Sequence, residues 1–158
     1  MKLASGVAPV PQMLKAGIEV GLGTDGAASN NDLDMFDEMN SAAILHKMHQ
    51  NDPTVMDARS VVEMATIGGA RVLGMDNVIG SLEPGKKADM ILVDLMQPHA
   101  QPFFNVYSVL VYSIKASDVE TVLIDGRIVM QDRMFKHIDE PGLYTMVEEL
   151  AARIRAME

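Results

Sequence analysis

The chain has 158 residues, a formal net charge of −9, 48% hydrophobic and 22% charged residues, and no cysteine. This length suffices for one domain with a real core, and no stretch approaches the roughly 20 apolar residues of a membrane span. Lack of cysteine excludes disulfides and thiolate metal sites, while the acidic surface and scarce aromatics argue against nucleic acid as a partner.

The opening residues are too few and too broken by Pro9 and Pro11 for a secretory signal, which makes the cytoplasm the default location. Residues 9–17 predict a short helix closed by Gly17. Ile18 to Gly23 reads as a buried strand, brief, apolar and bounded by glycine. It delivers Asp25, within Gly23-Thr24-Asp25-Gly26, to the mouth of a sheet, where α/β enzymes hold metals and substrates. Thr24 to Asp32 reads as a polar loop.

A longer helix is predicted from Leu33 to Gln50, with Asp32 or Asp34 as its cap and Asn51-Asp52-Pro53 as its end. A second helical stretch runs from about Asp57 or Ser60 to Thr66. Gly68-Gly69 is expected to interrupt it before a further turn at Ala70–Leu73. Ile79 to Asp89 is turn-rich and leads into the apolar strand Met90–Leu95. Val106–Ser113 predicts a short helix. Val119–Ile124 and Arg127–Met130 predict a hairpin around Asp125-Gly126. Residues 140–158 predict a terminal helix. Three strands after Gly80 are too few for an independent sheet. The 14 methionines read as soft core filler.

Asp25 is the leading candidate for chemistry. A carboxylate at a strand end can bind a metal or move a proton, although an aspartate in an Asx-turn beside glycine would read the same way. His46 and His49, spaced i and i+3, share a helix face and could share a metal; a helix-edge and helix-end role explains them equally well. His99 and His137 read as structural or solvent-facing. The glycines around Asp25 match neither the G-x-G-x-x-G nor the P-loop pattern, and no G-x-S-x-G elbow is present.

Three segments carry a resemblance: Lys2-Leu3-Ala4-Ser5-Gly6, Gly21 to Asn31, and Ile79 to Asp89. In order and over nearly the whole chain, they resemble the amidohydrolase superfamily. Within it they look like the branch of 5′-methylthioadenosine/S-adenosylhomocysteine deaminases and their chlorohydrolase-like relatives. The Gly-Ser-Leu-Glu-Pro-Gly-Lys-Lys-Ala-Asp run, Gly80 to Asp89, marks the superfamily. The Thr-Asp-Gly-Ala-Ala-Ser-Asn run, Thr24 to Asn30, is narrower and favours the adenosine-type branch.

The resemblance implies an α/β fold: the C-terminal portion of a (β/α)8 barrel over residues 1–75, then half of a composite β-sandwich and a terminal helix over 76–158. It implies hydrolytic deamination of an adenosine-type nucleoside. Asp25 would then be metal ligand, catalytic proton shuttle and substrate contact at once, with Zn²⁺ or Fe²⁺ as cofactor. The family's His-x-His pair and two further histidines have no counterpart here, and His46, His49, His99 and His137 do not match ligand positions. The chain therefore reads as a C-terminal piece, inactive alone, that self-associates or joins a missing N-terminal segment. Two alternatives remain: a hydrolase of guanine, triazine or another aminated heterocycle, and a non-catalytic association module.

Overall fold

Asp34 decides where the longest buried helix begins. Its backbone is extended (ψ 108°), and its side chain accepts hydrogen bonds from the N–H groups of Phe36 and Asp37. Two orphan donors of the first turn are thereby satisfied. The computed structural model describes residues 4–157; Met1, Lys2 and Leu3, and with them the start of the Lys-Leu-Ala-Ser-Gly segment, lie outside them, as does Glu158. In chain order the helices α1 (Val10–Lys15), α2 (Met35–Gln50), α3 (Ala58–Glu63), a π turn (Met64–Gly68) and α4 (Gly69–Val72) come first. Then follow β1 (Met90–Val93), α5 (Val106–Tyr112), β2 (Val119–Ile124), β3 (Arg127–Gln131), β4 (Met134–Phe135) and α6 (Glu140–Arg155).

The core lies where α2, α3 and α5 meet. Phe36, Met39, Ala43, Val61, Val109 and Ile114 form its centre. Burying a side chain of Val or Phe size stabilises the fold by about 1.5–3 kcal/mol. Two polar ties fix the helices against sliding. Asn40 Nδ2 donates to the Val111 carbonyl at 3.1 Å, and Lys47 Nζ donates to that of Met56 at 2.6 Å. Core filling by methionine holds for Met39, Met56 and Met64, whereas Met48, Met96 and Met157 stand exposed.

The sheet is antiparallel in the order β1-β2-β3-β4. Its central turn is the expected Asp125-Gly126, with φ of 51° and 75°, the left-handed pair that suits a two-residue hairpin. The run before β1 clasps this tip. Asp125 N donates to Asp89 Oδ1 at 2.6 Å, Gly126 N donates to the Ala88 carbonyl at 3.0 Å, and Lys87 pairs with Asp125 at 3.4 Å.

Three expectations are corrected. Ile18–Gly23 is not a strand. No strand lies beside it among the described residues, and Leu22 N donates instead to the Met64 carbonyl of the π turn at 3.2 Å. Gly68-Gly69 does not interrupt the helix: α3, the π turn and α4 run on through both glycines to Val72. The region after Gly80 holds four strands, not three, because Asp132 and Arg133 both turn left-handed (φ 53° and 59°) and send the chain back as β4.

Helix α6 begins as predicted, with Asp139 accepting from Gly142 N, but none of its residues is buried. Its apolar stripe of Leu143, Met146, Val147, Leu150 and Ile154 faces outward. No helix among the described residues is long and apolar enough to cross a membrane.

Candidate active site around Asp25

The segment that presents Asp25 is fixed by close backbone contact. A Cβ on Gly21 would lie 2.9 Å from Gly69 Cα, and one on Gly68 would lie 3.1 Å from the Val20 carbonyl oxygen. Glycine at both positions lets residues 20–22 rest directly on the π turn. From there the chain emerges at Thr24 with its direction set.

Asp25 then adopts φ 62°, a left-handed conformation that Asp reaches more readily than most residues. Its Oδ1 accepts from Gly26 N at 2.7 Å, and Thr24 Oγ1 donates to its carbonyl at 3.1 Å. The bond to Gly26 N is one residue on, not the two an Asx-turn requires, so it fixes the carboxylate against its own neighbour without making that turn. Asp25 is exposed, and its Oδ2 has no hydrogen-bond partner among the described residues. The carboxylate borders a cleft of about 440 Å³ shared with Ser5, Gly6, Thr24, Asn30 and Glu38. A larger cavity of about 760 Å³ lies on the other side of the segment, lined by Leu22, Ala70, Ile79, Leu82 and Ile91, among others. It is mostly apolar and Asp25 does not line it, whereas the smaller cleft mixes polar and apolar groups and includes Asp25.

The loop is held from α2. Asn30 Nδ2 donates to the Thr24 carbonyl at 3.1 Å and to Glu38 Oε1 at 2.6 Å, while Asn30 Oδ1 accepts from Asp32 N at 3.2 Å. Sequence reasoning missed Asn30 and Glu38, since a pair eight residues apart across a loop and a helix start has no periodic signature.

The histidines stay apart from this cleft. His46 is buried in α2 and its Nδ1 lacks a partner among the described residues, while His49 is exposed, so the two do not converge on a shared ion. Burial first, and the neighbouring His49 second, hold the His46 imidazole below its ordinary pKa. His99 Nε2 meets the buried Asp118 Oδ2 at 2.8 Å, a tie between the loop after β1 and the start of β2. His137 is exposed.

Among the described residues no three His, Asp or Glu side chains gather as a metal site would require. Asp25, with one free oxygen at a cleft mouth, fits a single ligand position and no more.

Comparison with known proteins adds to this geometry. A model described as the amidohydrolase family matches residues 1–129. The chain is 56% identical over 155 residues to a 5-methylthioadenosine/S-adenosylhomocysteine deaminase of Syntrophus aciditrophicus, covering 98% of this chain and 35% of that protein. It is 51% identical over 160 residues to a 5′-deoxyadenosine deaminase of Methanosarcina mazei, covering 99% and 37%. Among solved structures, a zinc-bound adenosine deaminase of Xanthomonas campestris superposes with a TM-score of 0.94 at 42% identity, over 98% of this chain and 35% of that one. A zinc-bound atrazine chlorohydrolase of Arthrobacter aurescens gives 0.78 at 29% identity, over 93% and 32%. The chain thus spans about a third of the length of the relatives it matches.

Proposed function

The chain belongs to the amidohydrolase family, and on that premise we propose that it carries the proton-handling carboxylate of a hydrolytic deaminase. The substrates are adenosine-type nucleosides such as 5′-methylthioadenosine or S-adenosylhomocysteine. The observation that carries this reading is Asp25 itself, set on a left-handed turn at the edge of the cleft, with Oδ2 unpaired among the described residues. The closer likeness to an adenosine deaminase than to a triazine enzyme favours a purine ring over the triazine alternative.

In this reading Asp25 Oδ2 takes a proton from the water that attacks the amine-bearing purine carbon. It returns that proton to the departing nitrogen as the C–N bond breaks. The carboxylate ends as it began, and the products are an inosine-type nucleoside and ammonia. Gly26 N–H keeps the carboxylate aimed by holding Oδ1. Zinc, or Fe²⁺ by the same ligand chemistry, supplies activation of the water when bound. Asp25 would be one of its ligands, and the other donors would come from outside residues 4–157.

We assign residues 1–75 to the last part of a (β/α)8 barrel, with residues 18–23 as the segment that would become its final strand once a neighbouring strand lies beside it. Residues 76–158 form half of a composite β-sandwich with a terminal helix. A segment with no strand beside it among the described residues, the apolar cavity it lines and the open edge of β1 support this assignment, as does the coverage of about a third of each relative. The exposed apolar surface is what the rest of such a barrel would cover; left uncovered, it drives self-association.

The test mixes this chain with the complementary part of a relative, adds zinc, and measures ammonia release from 5′-methylthioadenosine, S-adenosylhomocysteine and a triazine. We expect release from the nucleosides, none from the chain alone, and none with Asp25→Asn. Full activity in that variant, or a preference for the triazine, would sink the proposal.

A further inference from the structure

We propose that Asn30, seated on Glu38, is the positioning residue that sets the aim of the Asp25 carboxylate. The inference rests on the reading of Asp25 as the working group, but its physical content stands on the loop alone. A left-handed non-glycine residue persists only where its surroundings over-determine it. Asp25 is exposed, so packing does not supply that constraint. The hydrogen bonds of its own Oδ1 and carbonyl are to adjacent residues, and these move with the turn instead of anchoring it.

Asn30 is what reaches across. Its amide nitrogen holds the carbonyl of Thr24, the peptide group immediately before Asp25, and thereby limits how that peptide can rotate. The same nitrogen is held by Glu38 in the first turn of α2, and α2 is fixed to the core through Phe36 and Met39. The Asn30 oxygen is used as well, on Asp32 N. This assigns the amide one orientation: reversing it would set oxygen against both the Thr24 carbonyl and the Glu38 carboxylate. Aspartate is nearly the same shape and cannot substitute, because its second oxygen would face those two acceptors. Glutamine at position 38 can substitute, since it still offers an acceptor.

The test follows hydrogen exchange of the Gly26 amide by NMR at one fixed pH in the chain as it exists, without metal or substrate. That amide donates to Asp25 Oδ1, so its protection reports whether the turn holds the carboxylate in place. We expect Asn30→Asp, Asn30→Ala and Glu38→Ala to reduce this protection toward that of an unbonded glycine. Glu38→Gln should leave it as in the parent, and in Asn30→Asp/Glu38→Gln the new amide should restore part of it. Hydrogen exchange of α2 amides is read alongside. The proposal is overturned if Gly26 protection survives Asn30→Asp in a chain with α2 protected, or if it is lost only when α2 protection is lost too. Failure of the deamination test leaves this result untouched, and surviving Gly26 protection leaves the deamination reading untouched.

Discussion

Asp34 Oδ2 accepts a hydrogen bond from Ala116 N at 2.9 Å, joining two residues 82 positions apart, while Asp34 Oδ1 caps α2. One buried carboxylate therefore starts the helix behind the candidate site and ties it to the turn that feeds β2. The two roles draw on different oxygens, so neither excludes the other.

Replacing Asp34 by alanine removes the cap and strands a part-buried N–H. The cap contributes about 1 kcal/mol and the stranded donor about 1–3, so the expected loss is about 2–4 kcal/mol. Asp34→Asn keeps one acceptor oxygen and should lose less. Urea unfolding of both variants, followed by a probe in the α2–α5 core, measures the difference.

At Asp25 the backbone makes its own demand. Asp25→Ala should cost about 1 kcal/mol, because alanine lacks the local hydrogen bond and resists φ 62°. Asp25→Gly should be close to neutral, since glycine accepts that conformation freely. Asp25→Asn should also fold normally, because asparagine keeps an acceptor oxygen for Gly26 N and tolerates φ > 0. Equal melting temperatures for the alanine and glycine variants would show that the turn is not strained.

Gly21→Ala tests the seating of the segment. The added methyl meets backbone, not a movable side chain, at 2.9 Å. Overpacking of this kind costs about 1–3 kcal/mol and should shift the resonances of Gly69 and of the Asp25 loop together. A stable variant with an unmoved loop would show that the contact yields easily.

His46 gives a pH signature. Its pKa in the fold is lowered from the ordinary 6.5, so between the two values the unfolded chain binds the proton and the folded chain resists it. Its influence is absent well above 6.5. Stability then falls as pH drops below 6.5 and levels off once pH passes the lowered value. His46→Leu should flatten that decline. Urea midpoints measured from about pH 5 to 8 separate the two chains.

Where the sequence speaks through local chemistry, the structure follows it. Asp34 and Asn51 bound α2, Asp57 caps α3, and Asp125-Gly126 turns the hairpin, each through groups within a few residues. What escaped depends on neighbours. An apolar run such as 18–23 announces burial, yet a strand exists only beside another strand. Gly68 and Gly69 read as breakers because their use, closeness to residues 20–22, lies 40-odd positions away in the chain. β4 was missed because Asp132-Arg133 turns left-handed without a glycine to signal it. At the site, Asp25 was legible from its glycine-flanked position, whereas the Asn30–Glu38 support became visible only with coordinates.

Helix α6 has a thermodynamic consequence of its own. A helix of 16 residues with none buried depends on caps and side-chain pairs along its own length, and isolated helices of that size are marginal in water. It therefore lies outside the cooperative unit formed by α2, α3 and α5. Heating should produce two transitions, an early one in which total helicity drops while the core stays intact, and a later one in which the core melts. The first measures only how firmly something covers α6, so a partner that docks there should merge the two into one.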